Sequence, residues 1–321
     1  MSAAGSVMPR VSAILRSRPF LTVAVVAAVW IVAGVTMRGF GAFGHLRYLV
    51  ELAAVIGLVA AGQTFVVVAG GIDLSVAAIV TVSAVALPLL SLPGDPTGMS
   101  AVLATLALST AIGLANGLGV AFLRVHPMIM TLAMATFLQG LLILIAGGTA
   151  ISLDNPLVTW LGNARPAGIP VGILLWLAIS AAVLVVMHAT AFGARIFALG
   201  ANPLAAALSG VPVNATTIAV YGISGFTAGL AGVLVLGMNG QGYVGIGDPY
   251  LLASIAAVVL GGTSILGGLG TYAGTMPGAL LLVTITALIT VVNASPGWRS
   301  ILFGSLILGL LLLSGRESAR R

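Results

Sequence analysis

The chain has 321 residues, of which 60% are apolar and only 6% are charged, and its mean hydropathy is +1.23. Soluble domains carry about 25% charged residues, so this composition excludes a soluble protein and indicates an all-α polytopic membrane protein. The net charge of +6 comes from arginines that lie mostly near the ends of apolar segments, which indicates membrane topology and argues against nucleic-acid binding.

About ten apolar stretches follow one another along the chain, and we interpret each as a membrane-spanning helix. They cover residues 20–37, 48–69, 73–91, 100–122, 127–146, 168–188, 213–237, 250–261, 270–292 and 299–314. The eighth stretch is too short to cross alone, because a transmembrane helix needs about 20 residues. Glycines adjoin it, so a broken helix sheltered by protein is the alternative, and the sequence predicts eight to ten crossings.

The distribution of arginine predicts the orientation of the chain. With the N-terminus inside, eight arginines lie on the cytoplasmic side and four on the outer side, which favours both termini in the cytoplasm. The predicted organisation is a cytoplasmic N-terminal segment at 1–19, a single transmembrane domain at 20–314 and a cytoplasmic tail at 315–321. A cytoplasmic loop at 189–212 lies within the domain.

This cytoplasmic loop contains the pattern of a short, well-delimited helix. Asn202 suits the N-cap, Pro203 suits the first turn, and Gly210 suits the left-handed position beyond the end. Only about seven residues lie between the cap at Asn202 and the terminating Gly210, which is roughly 10 Å of helix, so this helix cannot cross a bilayer. Leu204 and Leu208 lie four apart on one face, and we expect that face to press on a partner.

Few polar residues lie inside the predicted spans, where a central Asp costs about 2.5 to 3.5 kcal/mol. The candidates for a translocation pathway or gate are Gln63, Asp73, Asn116, Gln139 and Asn239. Asp73 either caps the next helix or belongs to a gate, and Asn116, inside a GxxxG sequence, either bonds a neighbouring helix or lines a pathway. The two glutamines suit hydroxyl-rich cargo or a neighbouring helix, and Asn239 falls in a glycine-rich external segment at 237–249.

The absence of certain residue types argues against several functions, namely ATP binding by a P-loop, metal or cofactor binding, and self-powered transport. A P-loop needs lysine to reach the phosphates of ATP, and the chain has no lysine, so any ATP and Mg²⁺ would bind to another chain. Cysteine is absent, the three histidines are far apart, and no HExxH sequence occurs, so we expect neither a metal site nor a bound cofactor. No series of intramembrane carboxylates is present, which argues against a self-powered carrier.

Several short motifs occur in a fixed order along the chain. They lie at 70–75, 115–117, 127–132, 200–211, 221–225, 228–232, 255–264 and 267–268. Together they resemble, from end to end, the permease subunit of ribose-type carbohydrate ABC importers. The chain departs from the family's common pattern at Ala77 and Ala78, where Gly or Ser is frequent, and at Leu204, where a bulkier polar residue is frequent.

The resemblance implies a ten-helix fold of the vitamin-importer type and a cytoplasmic coupling helix on Asn202 to Gly210. The residues implied to couple to the ATPase are Gly200, Asn202, Pro203, Leu204, Ala205, Leu208, Ser209 and Gly210. It also implies a bacterial inner-membrane protein, surrounded by lipid, that is a transport subunit and not itself an enzyme.

Three kinds of partner follow from the same resemblance. They are an ATP-binding-cassette ATPase subunit that carries ATP and Mg²⁺, an external sugar-binding protein, and a second permease subunit that forms a homodimer or heterodimer with this chain. The cargo would be a sugar or polyol. The alternative from a different class is a self-contained secondary carrier or channel for a small polar solute.

Overall fold

The computed structural model describes residues 18–91, 95, 97–291, 295, 297–298, 300–305 and 308–309. The helices are α1 (Arg18–Thr36), α2 (Phe43–Val68), α3 (Val76–Leu90), α4 (Met99–Phe122), α5 (Pro127–Ala146), α6 (Pro156–Asn163), α7 (Val171–Ala189), α8 (Ala191–Ala201), α9 (Pro203–Leu208), α10 (Val213–Asn239), α11 (Pro249–Leu260) and α12 (Tyr272–Val291). A 3₁₀ turn covers Pro166–Gly168, and the strands β1 (Ile151–Ser152) and β2 (Gln241–Gly242) form an antiparallel pair.

Six of the described helices are long and apolar enough to cross a membrane, namely α2, α4, α5, α7, α10 and α12. This confirms the prediction of an all-α polytopic membrane protein. Helices α3 and α11 are apolar but have 15 and 12 residues, so they are shorter than a full span. Ten crossings and cytoplasmic termini stay predictions, since most of the segment 1–19, part of 299–314 and the tail 315–321 lie outside the described residues.

Helix α10 lies at the centre of the bundle and packs against α2, α3 and α4. Its closest neighbour is α4, because Gly113 and Gly117 bring the two backbones together. A Cβ atom on Gly117 would lie 2.6 Å from the Cα atom of Ile218, and one on Gly113 would overlap the carbonyl oxygen of Tyr221. The GxxxG sequence therefore forms the close helix contact that such sequences favour.

A chain of hydrogen bonds connects three helices inside the core. The Trp176 indole Nε1 donates to the Tyr272 hydroxyl at 2.8 Å, and that hydroxyl donates to the Gly57 carbonyl oxygen at 2.8 Å. Gly57 has no side chain, and the indole of Trp176 fills the space that one would take. These contacts join α7, α12 and α2 through buried groups, which satisfies polar atoms that are costly to leave unpaired in an apolar interior.

One end of the bundle carries α6 and the β1–β2 pair, which the sequence did not predict. Asn155 caps α6 by accepting from the Val158 backbone N–H at 3.1 Å, and its amide donates to the Gly98 carbonyl at 3.0 Å. Helix α10 continues to Asn239, so the predicted loop start at residue 237 is wrong. The reason is packing, because Gly237 lies against the backbone of α6 at Gly162.

Candidate functional site

Helix α9 has both of its ends fixed by hydrogen bonds. At the start, the Asn202 side-chain oxygen accepts from the backbone N–H groups of Leu204 and Ala205, each at 3.0 Å. At the end, Val211 N–H donates to the Ala206 carbonyl and Gly210 has a φ of +82°. This is a Schellman termination, which explains why glycine follows the helix. The predicted helix is confirmed, with six residues in place of about seven.

The outer face of α9 is apolar and open. Leu204 is 71% exposed and Leu208 is 82% exposed, whereas Ala206 on the opposite face is buried. Pro203, Ala205 and Ser209 are exposed as well. An ordered helix that directs two leucines away from its own chain has a surface suited to burial against another protein.

The base of α9 is held by two other segments. Gly200, two residues before the cap, lies so close to α2 that an added Cβ would overlap the Val68 carbonyl oxygen. The Gly268 backbone N–H donates to the same oxygen at 2.9 Å. A Cβ on Gly267 would lie 2.9 Å from the Cα atom of Gly70. We call this contact of residues 68–70, 200–201 and 267–268 the backbone junction.

A second set of polar residues lies inside the bundle, around Asp73. One carboxylate oxygen of Asp73 accepts from the Ser75 backbone N–H at 2.9 Å and from the Ser75 hydroxyl at 2.6 Å. The other accepts from the Ser224 hydroxyl of α10 at 2.7 Å. The Asn116 amide of α4 donates to the Ser75 hydroxyl at 2.8 Å. All four side chains are fully buried. We call them the Asp73 cluster.

The Asp73 cluster bears on two of the alternatives drawn from the sequence. Ser75 occupies the N-cap position of α3 without a capping bond of its own, and Asp73, two residues earlier, accepts the Ser75 backbone N–H as the capping alternative predicts. The carboxylate holds the turn before α3 and connects it to α10. Asn116 bonds across to the α2–α3 turn, as the alternative of bonding a neighbouring segment predicts.

Among the described residues, none of the other three pathway candidates is hydrogen-bonded to this cluster. Gln63 is fully buried in α2, and neither atom of its amide has a hydrogen-bond partner among the described residues. Gln139 is exposed midway along α5, and Asn239 is exposed at the end of α10, where its amide bonds the Val235 carbonyl of its own helix at 2.8 Å. The five candidates therefore do not form one polar site within the chain, and a transport role for each stays a prediction.

A cavity of about 410 Å³ lies between α3, α4 and α5. Its lining is formed by the apolar residues Val82, Val85, Ala86, Leu89, Leu108, Ala111, Ile112, Ala115, Met134, Phe137, Leu138, Leu141, Leu142 and Ile145. Such a lining offers no hydrogen bonds to the hydroxyl groups of a sugar. Among the described residues, no group of three acidic or histidine side chains is placed to hold a metal ion.

The chain matches known proteins over most of its length. The family model described as branched-chain amino acid transport system / permease component matches residues 46–311. The ribose import permease protein RbsC of Escherichia coli (strain K12) is 33% identical over 283 residues, which cover 87% of this chain and 88% of that protein. The ribose import permease of Bacillus subtilis (strain 168) is 32% identical, over 86% of each chain.

A relative that is named for a different sugar matches even more of the chain. The L-arabinose transport system permease protein AraH of Escherichia coli (strain K12) is 30% identical over 314 residues, 92% of this chain and 90% of that protein. No solved structure matches at a significant level. The residues matched by the family model, 46–311, include α9 and the Asp73 cluster. The chain therefore belongs to this family of inner-membrane permeases, in the ribose-type group of ABC importer permeases.

Proposed function

We propose that this chain forms half of the translocation pathway of an ATP-driven importer for a sugar or polyol. The observation that carries the proposal is α9, a capped helix whose exposed leucines, Leu204 and Leu208, lie in a chain related to import permeases. Docking of α9 on a cytoplasmic ATPase would let that subunit shift the pathway between its two open states. Linkage then requires that closure of the pathway also changes how tightly the ATPase docks.

The chemistry of the chain supports hydrolysis on a separate subunit. The chain has no lysine with which to build a P-loop, so ATP and Mg²⁺ would bind to the ATPase partner. The residues proposed to couple this chain to the ATPase are Gly200, Asn202, Pro203, Leu204, Ala205, Leu208, Ser209 and Gly210. This chain itself would be a transport subunit without enzymatic activity.

The exposure of α5 supports a second permease subunit. Only 17% of the most apolar 18-residue stretch of α5 is buried within this chain, and the exposed Gln139 lies near the middle of the helix. A polar side chain at that depth usually faces protein or water, because contact with lipid leaves its hydrogen bonds unmade. A second copy or a related permease against α5 would place Gln139 at a shared pathway, and an external binding protein would deliver the cargo there.

Reconstitution tests this proposal. The chain is purified from its own cells in mild detergent, and the co-purifying ATPase is identified by mass spectrometry from its nucleotide-binding motif. The complex is placed in liposomes with the binding protein, and we expect ATP hydrolysis that rises when binding protein and cargo are both added. Absence of an ATPase, or uptake by this chain alone that is insensitive to ATP, contradicts the proposal and favours a carrier or channel.

The cargo class needs its own measurement. The relatives are named as ribose and L-arabinose permeases, whereas the family description names branched-chain amino acids. Calorimetric titration of the binding protein with ribose, L-arabinose, a polyol and leucine separates these classes. We expect binding of a sugar or polyol, and binding of leucine alone would contradict the carbohydrate assignment while leaving the ATP-driven mechanism untouched.

A further inference from the structure

We propose that the loop between α11 and α12, residues 263–270, is a second part of the ATPase docking surface and makes contact through Leu266 and Leu269. This inference rests on the proposed function, because it names a further contact for the same ATPase. The coupling residues predicted from the sequence all lie between 200 and 210, and none lies in this loop.

The loop is held in one shape by its own hydrogen bonds. Ser264 N–H donates to the Leu269 carbonyl at 2.9 Å, and Gly267 N–H donates to the Ser264 carbonyl at 3.1 Å. Gly267 and Gly268 have φ values of +86° and +72°, which other residues rarely adopt. In this shape Leu266 is 64% exposed and Leu269 is 63% exposed. An ordered turn thus directs two leucines away from the chain.

The position of the loop connects it with α9. Within the backbone junction, a Cβ on Gly268 would lie 2.9 Å from the Cα atom of Ala201, and one on Gly267 would lie 2.8 Å from the Gly200 carbonyl oxygen. Ala201 directly precedes Asn202, the cap of α9. The loop therefore packs on Gly200 and Ala201, the two residues that directly precede the cap of α9. The exposed leucines of the loop and of α9 consequently lie at the same end of the molecule.

Polar contacts around the loop favour a protein partner over lipid chains. At its end, the Thr271 hydroxyl and the exposed His188 side chain form a hydrogen bond of 3.1 Å. Arg195 is exposed on α8, the helix whose last residues support the loop. Apolar side chains with a polar surround are typical of a docking surface, where a buried centre lies within a wetter rim. Continuity with α9 identifies the partner as the ATPase.

Contact at two places has a mechanical consequence. A partner that touched only α9 would act on six residues through one helix. A partner that also touches the loop acts on the ends of α2 and α8 and on the loop before α12 together, because the backbone junction joins them. Docking would then move these segments as one unit.

Single cysteines test this contact, because the chain has none of its own. Leu266→Cys, Leu269→Cys and Leu204→Cys are each labelled with a photoreactive maleimide before the ATPase is added back, and the reassembled complex is then irradiated. Val185→Cys, 58% exposed on α7, is the matched control. We expect products that contain the ATPase from positions 204, 266 and 269 but not from 185.

The possible results are distinguishable. If position 204 yields the ATPase product and positions 266 and 269 do not, the loop proposal is overturned and the proposed function stands. A product from 266 or 269 that contains only a second copy of this chain also overturns it. If position 204 fails as well, the proposed function itself is contradicted.

A functional measurement complements the cross-links. The double variant Leu266→Ser and Leu269→Ser should weaken ATPase association at least about tenfold, since apolar anchors at the centre of an interface carry most of its binding energy. Val185→Ser is the control, and equal elution and melting of both variants shows that they fold. Unchanged association in the double variant would overturn the proposal.

Discussion

Single side chains determine how α9 begins. Asn202 satisfies two backbone N–H groups at the start of a six-residue helix, so Asn202→Ala should cost about 0.5 to 2 kcal/mol of local helix stability. We expect insertion to continue while cargo-stimulated ATP hydrolysis falls in liposomes. Asn214→Ala is the control, because Asn214 is an exposed asparagine near the start of α10. An equal loss in both variants would exclude a specific effect of the cap.

The buried side chain of Ser224 should matter for stability. Its hydroxyl donates to Asp73, and Ser224→Ala leaves that buried carboxylate oxygen without a partner, at a cost of about 1 to 3 kcal/mol. We expect a lower melting temperature in detergent. The control is Ser83→Ala, since within the described part of the chain the fully buried Ser83 hydroxyl bonds just the Ile79 carbonyl of its own helix. Equal melting of both variants would contradict a special role for the bond to Asp73.

Asp95, before α4, should make that helix start sensitive to pH. Hydrogen bonds, chiefly from the Ser100 hydroxyl and then from Thr97, lower the pKa of the Asp95 carboxyl. A carboxyl with a lowered folded pKa stabilises the fold above its unfolded pKa, about 3.9, and this stabilisation is lost as the pH falls toward the folded pKa. We expect faster amide exchange at the start of α4 at pH 3 than at pH 6, after correction for intrinsic rates.

Asp95→Asn provides the comparison for this pH effect. An amide does not titrate, so the variant should show little difference between the two pH values. If the unchanged protein also shows none, the carboxylate does not govern the start of α4.

At the scale of helices, the contact of α4 with α10 depends on the absence of side chains. Gly113→Ala would place a Cβ over the Tyr221 carbonyl oxygen, and overpacking of this kind costs about 1 to 3 kcal/mol. We expect a lower melting temperature. Gly44→Ala in α2 is the matched control, because an added Cβ meets no atom within 4 Å there. Equal melting temperatures of the two variants would show that α4 and α10 can move apart to accept the added Cβ without loss of stability.

Local patterns predicted some of these elements and not others. The spans and α9 were predictable because apolar length, a cap and a terminal glycine are local signals. Helix α6, with eight residues, and the two-residue strands are too short to leave a periodic pattern. The sequence predicts a loop where α8 lies, because a single residue, Thr190, separates α8 from α7 and the apolar run ends there.

Contacts between distant residues were beyond sequence reasoning. Asp73 and Ser224 are 151 residues apart, and nothing in either local sequence indicates that their side chains meet. The backbone junction was equally hidden, although its glycines are plain in the sequence. Their positions showed where side chains are missing, but not which backbones would meet there.

At the scale of the whole molecule, we expect docking at α9 to act on the spans through the backbone junction. Gly200→Ala would insert a methyl group between α8, the Val68 carbonyl and the Gly268 amide. We expect the complex still to assemble and hydrolyse ATP, with cargo uptake reduced at least tenfold, which corresponds to about 1.4 kcal/mol of lost coupling. Uptake and hydrolysis are measured in the same liposomes.

The control for this variant is again Gly44→Ala, which should leave both activities unchanged. A parallel loss of uptake and hydrolysis in Gly200→Ala would show that the junction is needed for assembly. Full uptake would show that the α2 and α8 backbones need not touch for transport.

The hydrogen-bond chain from Trp176 through Tyr272 to Gly57 also gives the protein an internal optical probe. Trp176 is buried and Trp30 is half-buried, whereas Trp160 and Trp298 are exposed. In a variant that carries Trp30→Phe, Trp160→Phe and Trp298→Phe, the fluorescence comes from a single indole, which is held between α7, α12 and α2. A shift of its emission on addition of ATP would report, without any label, that these three helices move relative to one another.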